Sequence, residues 1–182
     1  MFLDTKINNV RACATALVLG LILGSCSNDN SDGEKGVTNN NANSTVVCRY
    51  ADRLEFPKLS SNGHSITIVH LTNDSYDTQG VNFCTEWDYQ LQSQRWSCYQ
   101  MHAGYYGKWS RYDPSSDPDG DGRQYPWDAD LSPDYYTPTD NFYSSGFDHG
   151  HICPAADRSY SFLADKQTFY MTNMQPQYNA FN

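Results

Sequence analysis

Positive charge is scarce in this chain of 182 residues: 12 Lys and Arg stand against 21 Asp and Glu, a formal net charge of −9. So acidic a balance excludes a protein that holds nucleic acid by bulk charge, though not one that touches a few phosphates and lets go. No Gly-X-Y period and no heptad pattern is present, which excludes collagen-like and coiled-coil chains. No internal repeat is visible. What the chain does have is aromatic residues, with 14 Tyr, 8 Phe and 4 Trp. That is ample material for a packed core and excludes a wholly disordered chain. The length suits one domain with a tail.

The tail is at the front. Lys6 and Arg11 precede an uncharged stretch from Ala12 to Leu23. It is too short for a spanning helix, which needs roughly 20 residues, and suits the apolar region of a secretory signal. Leu23-Gly24-Ser25-Cys26 follows and resembles the bacterial lipobox, in which small residues fit the signal peptidase and the cysteine thiol accepts lipid. Residues 1–25 are therefore read as a lipoprotein signal peptide and Cys26 as the lipidated residue. Residues 26–46, rich in Asn and Ser, are read as a flexible tether, because they hold too little apolar surface to offset chain entropy. Residues 47–182 form the folded part. The expected location is outside the cytoplasm, anchored by lipid to a bacterial membrane on its periplasmic or cell-surface side.

Cys48, Cys84, Cys98 and Cys153 remain in the folded part, an even number for an exported protein. Ser65–Leu71, Val81–Tyr89 and Arg95–Met101 read as strands from their β-branched and aromatic content. In a hairpin register where paired positions sum to 182, Val81 meets Met101, Phe83 meets Tyr99 and Thr85 meets Ser97, while Cys84 meets Cys98 on the other face. A one-residue slip scrambles both faces. A Cys84–Cys98 bridge follows, leaving Cys48 and Cys153 to pair by elimination. Ala103–Phe147 is an irregular stretch, too long for a plain loop, and so either functional or built of short elements. Gly146–Ile152 suits a short strand, Ser159–Lys166 one or two helical turns and Thr168–Thr172 another strand. A helix is expected to begin after Pro176.

The sharpest chemical signal is Asp148-His149-Gly150-His151. Two histidines two apart on a strand face the same way, and Gly150 between them lets another group come close. Three readings fit these residues: one histidine as a general base, the pair as part of a zinc site, or both as structural side chains. A second signal runs Thr168-Phe169-Tyr170-Met171-Thr172-Asn173-Met174-Gln175-Pro176-Gln177, with Asn182 five residues further on. Together, in this order and separation, the two segments resemble the DNA/RNA non-specific endonucleases, the ββα-metal nucleases that include mitochondrial endonuclease G. The resemblance covers roughly residues 50 to 182.

What the resemblance implies is specific. The fold would be α+β, with an antiparallel-rich central sheet and a ββα-metal (His-Me finger) motif. The substrates would be DNA and RNA, cut with little sequence preference. His151 would be the base that deprotonates water, and Asn182 the protein ligand of hydrated Mg²⁺ or Mn²⁺. Asp148 and Asn173 would position these groups, and Gly150 completes the motif. His149 stands where the family usually carries Arg, which alters any phosphate contact made there. Arg111 and Arg158 are candidate phosphate clamps. The family's sequence continues past the residue matched by Asn182 into a helix that carries a further Glu, so the chain is expected to hold the N-terminal portion of the domain. Two readings rival an active nuclease. One is an inactive, truncated remnant. The other is a calcium-stabilised surface binding lipoprotein, because Asp117, Asp119, Asp121 and Asp128 follow calcium-loop spacing.

Overall fold

The computed structural model describes residues 43–107, 109–137, 140, 142 and 145–182. The signal segment, Cys26 and the tether as far as residue 42 lie outside the described residues. Asn39–Asn182 forms one compact unit.

Strand β1 (Ser65–Leu71) pairs antiparallel with β2 (Val81–Asp88), and β2 pairs antiparallel with β3 (Ser93–Cys98). All eight residues of β2 are buried, so both faces of this central strand are covered. Its sequence, Val-Asn-Phe-Cys-Thr-Glu-Trp-Asp, is half polar, and each buried polar side chain must find a partner or cost about 1–3 kcal/mol. Asn82 donates to the Ala164 carbonyl and Gln167 and accepts from the Tyr160 hydroxyl. Thr85 bonds Ser97 at 2.5 Å. Glu86 accepts from Ser60 N and faces Arg95. Asp88 holds His64 and caps the β2–β3 turn through Gln90 N and Leu91 N.

The hairpin register agrees with the sequence reading where it matters most: Cys84 lies opposite Cys98 and Thr85 opposite Ser97. A bulge after Glu86 then shifts the pairing, and β3 stops at Cys98, so the expected pairs Val81–Met101 and Phe83–Tyr99 fall beyond the ladder. All four of these cysteines are thiols in the structure. Cys48 packs against the cluster that holds Cys84 and Cys98, not against Cys153.

Strand β4 (Asp148–His151) pairs antiparallel with β5 (Met174–Gln177) in a separate two-stranded sheet. The expected central sheet is thus two antiparallel sheets among the described residues. Between β4 and β5 lies helix α1 (Phe162–Thr168), which starts where Ser161 accepts from Ala164 N at 3.2 Å. The strand expected at Thr168–Thr172 does not form. Thr168 donates to the Asp165 carbonyl, Phe169 N bonds Lys166 O, and Met171–Asn173 closes a 3-10 turn. The β-branched and aromatic residues there serve as core: Phe169 and Thr168 are fully buried. After Gln177 the chain winds into a turn in which Phe181 N and Asn182 N both reach Tyr178 O.

The long irregular stretch contains 3-10 turns at Ala103–Tyr105, Pro114–Ser116 and Pro133–Tyr135, capped by His102, Asp113 and Ser132. Its aromatic residues join two cores. Tyr112, Tyr125, Trp127 and Phe142 pack with Phe169, Met171 and Met174 beneath β4–β5, while Leu131, Tyr135 and Tyr136 pack with Ile68 and Trp87 on the three-stranded sheet.

Candidate active site

Period-two geometry places His149 and His151 on one face of β4 and Asp148 and Gly150 on the other. The histidine face lies over an aromatic floor. The Phe169 ring meets His151 edge-on at 4.7 Å, and the Tyr125 ring stacks flat on His149 at 3.8 Å and 6°. Tyr125 also contacts His151 and Phe169, so it sits between the two imidazoles.

His151 Nε2 is buried with no hydrogen-bond partner among the described residues. The ring is pushed down to about 4 by burial first and then by the nearby Arg111 charge, against a hydrogen bond to the His149 backbone that favours the charged form. Nε2 is the ring nitrogen that no protein group among the described residues engages. The side chain is therefore a neutral base at physiological pH with that nitrogen free. Arg111 is exposed and lays its guanidinium over Phe169 at 4.6 Å. The adjoining backbone is fixed by Tyr112 N, which donates to Asp165 on α1 at 2.6 Å. Burial pushes Asp165 up to about 6, against that bond and the Arg111 charge.

The other sequence-predicted residues fall elsewhere. Asp148, on the opposite face, accepts from Asn179 at 3.0 Å. At Gly150 the Gln177 side chain lies where a Cβ would be and would have to swing aside for any larger residue. Asn173 is fully buried; its amide accepts from Cys153 N and donates to the carbonyls of Cys153 and Thr168. It pins the backbone that follows His151. Arg158 has no exposed surface. It donates to the carbonyls of Gln100 and Asp157 and lies between Tyr99 and Tyr105, an interior setting closed to a phosphate. Asn182 is exposed, and its side-chain amide has no partner among the described residues. A free neutral oxygen of that kind fits a hydrated hard cation.

The calcium-loop acids are not gathered. Asp117 is taken by Lys166 at 2.6 Å and by the Tyr112 hydroxyl, Asp121 faces Arg123, and Asp128 lies in the interior. Sequence reasoning missed the group that Asp128 does join, with His70 and Asp130, the one constellation among the described residues with three ligand atoms within 4.8 Å of one another. Asp128 already accepts from His70 at 2.7 Å, from Thr172 at 2.5 Å and from Asp130 N at 2.9 Å. Burial would raise its carboxyl, but His70 and these bonds outweigh that and hold it below the ordinary range. An acid so fully engaged is a structural cross-link first.

Residues 62–182 match the family model of DNA/RNA non-specific endonucleases. The chain belongs to that family. Among curated relatives, a nuclease from Nostoc sp. is 29% identical over 120 residues, covering 65% of this chain and 40% of the relative. Nuclease C1 of Cunninghamella echinulata var. echinulata is 37% identical over 59 residues, covering 32% of this chain and 23% of the relative. The matched part thus spans less than half of either nuclease. His151, Arg111, Phe169 and Asn173 all fall within the span that matches the family.

Proposed function

We propose that the protein is a metal-dependent endonuclease that hydrolyses phosphodiester bonds of DNA and RNA with little sequence preference. The observation that carries this reading is His151 Nε2, a nitrogen without a protein partner among the described residues, on a neutral imidazole beside an exposed arginine. Hydrolysis needs a base for the attacking water and counter-charge for the phosphorane. His151 takes the water proton at Nε2, the nitrogen that no protein group among the described residues engages. Arg111 neutralises a phosphate oxygen. Asn182 would hold Mg²⁺ or Mn²⁺ through its amide oxygen, within a ββα-metal arrangement begun by β4 and β5. When bound, the cation supplies further charge neutralisation and acidic waters for the leaving 3′-oxygen. Asn173 and Asp148 keep the strand ends in place.

The same reading includes export and lipid anchoring through Cys26, supported by the signal-like N-terminus, and a Cys84–Cys98 bridge, supported by their opposed positions in the ladder. The test is digestion of plasmid DNA and of RNA with and without EDTA. Cleavage that EDTA abolishes and Mg²⁺ restores is expected; cleavage indifferent to EDTA sinks the mechanism. Changing Cys26 to Ser is expected to move the protein from the membrane to the soluble fraction.

A further inference from the structure

His149 stands on the same face as the base, and three of its sides are fixed. Its Nε2 lies 3.0 and 2.9 Å from the two carboxylate oxygens of Asp140. One ring face is covered by Tyr125, and Phe142 meets the ring at 4.9 Å and 62°. The side chain is 13% exposed and Asp140 is 36% exposed. What is left is the edge that bears Nδ1, which has no partner among the described residues and is not sealed from solvent. A carboxylate only accepts, so it demands a proton on Nε2. It thereby decides what Nδ1 offers: a second N–H when the ring is protonated, and a lone pair otherwise. A flipped ring would keep the Tyr125 stack but lose the bond from Nε2 to Asp140, so Asp140 decides which nitrogen faces outward. A phosphate oxygen is the complementary partner for that outward N–H.

We propose that Asp140 is a positioning residue of the nuclease, holding His149 Nε2 so that Nδ1 faces outward and, in the doubly protonated ring, donates to a backbone phosphate of the substrate strand next to His151. This rests on the nuclease reading above. Asp140 faces His149 directly, His151 lies next to it on the same face with Arg111 beside that ring, and Asp148 is on the opposite face of β4. Arg111 and His149 would then grip phosphate oxygens on either side of the base. The Asp140 bond is the feature that an arginine at position 149 would not need, since a guanidinium offers its donors without a fixed tautomer.

The test uses the full chain in EDTA, so that binding is separated from cleavage. Long-range imidazole ¹⁵N spectra are expected to show the free, neutral His149 with its proton on Nε2 in the wild type and in Asp140→Glu, mixed tautomers in Asp140→Ala and Asp140→Ser, and protons on both nitrogens once DNA is bound. A twelve-nucleotide single-stranded DNA is expected to bind roughly tenfold more weakly to Asp140→Ala, with recovery in Asp140→Glu. With metal restored, the loss should sit in KM and leave kcat nearly unchanged. In a His149→Arg background, Asp140→Ala should cost no further affinity. An unchanged tautomer signature in Asp140→Ala, or an equal loss of affinity in the His149→Arg background, overturns the proposal. A wild-type chain that shows the Nε2–H signature yet binds no DNA overturns the nuclease reading and the phosphate role together, while leaving the Asp140 contact established.

Discussion

Two histidines of this chain are packed against phenylalanine, and their surroundings part them. His70, on β1, is fully buried, stacks on Phe83 at 4.1 Å and gives its Nε2 to Asp128, which also takes Thr172. Three distant segments meet there, and every polar atom of the Asp128 carboxylate is in use. His151, on β4, meets Phe169 edge-on, has an exposed arginine for a neighbour and offers its Nε2 to no protein group among the described residues. The first arrangement spends an imidazole on cohesion; the second leaves one without a protein partner at Nε2 among the described residues. Burial alone does not separate a structural histidine from a chemical one. The difference lies in whether a carboxylate has been supplied to the nitrogen that would otherwise act.

The contrast breaks down if removing either histidine's function has the other's consequence. The largest effect is expected for His151→Ala, which should lower the cleavage rate by ~10²–10⁴ with little change in the circular dichroism spectrum; near-normal cleavage would remove His151 as the base. Asp128→Ala should do the opposite. It strands His70 in the interior, at a cost of about 3–5 kcal/mol read as a fall of about 10 °C or more in the melting midpoint, while cleavage per folded molecule is unchanged.

A smaller effect sharpens the comparison through pH. The unfolded His151 binds a proton near pH 6.5, the folded one only near about 4. Between those values the unfolded chain carries more protons, so stability rises with pH across that window and is flat for this group above it. Chemical denaturation from pH 4 to 7 should show a shallower slope in His151→Gln than in the wild type. An identical slope would mean that the ring titrates alike in both states. The smallest effect is expected at the acidic loop: Asp121→Ala should leave the unfolding free energy within about 0.5 kcal/mol of the wild type, and added Ca²⁺ should shift the melting midpoint of neither protein. A calcium-dependent rise would restore the loop as a cation site.

The sequence was legible where a fixed period or a motif carried the information. Cys84 opposite Cys98 follows from the two-residue repeat of a hairpin, and the bulge at Glu86 that ended the agreement has no signature in residue type. His151 and its strand were legible through the Asp-x-Gly-His pattern. Thr168–Thr172 was misread because its composition suits a strand, whereas the Ser161 cap and burial of Phe169 commit it to the end of α1 and the turn beyond. Tyr125 and Asp140 were invisible because they lie in the irregular stretch, where no period relates residue 125 to residue 149. The buried partners of Arg158 were equally hidden. A scarce arginine looked like a phosphate clamp until its guanidinium was found between Tyr99 and Tyr105.

The strand that bears His151 belongs to a sheet of only two strands, and such a pair is marginal alone. Asn173 supplies what a third strand would: three hydrogen bonds from one side chain to the backbone at Cys153 and Thr168, with Ile152 N closing onto its own carbonyl. Much of the order at the end of the strand that bears His151 therefore rests on a single amide. In amide hydrogen exchange, the protons of Ile152 and Cys153 should open together with those of β4, as one cooperative unit separate from β2. Asn173→Ala should lower the protection of that unit alone. A residue needed for chemistry and one needed for local rigidity would look the same in an activity assay, and exchange rates tell them apart.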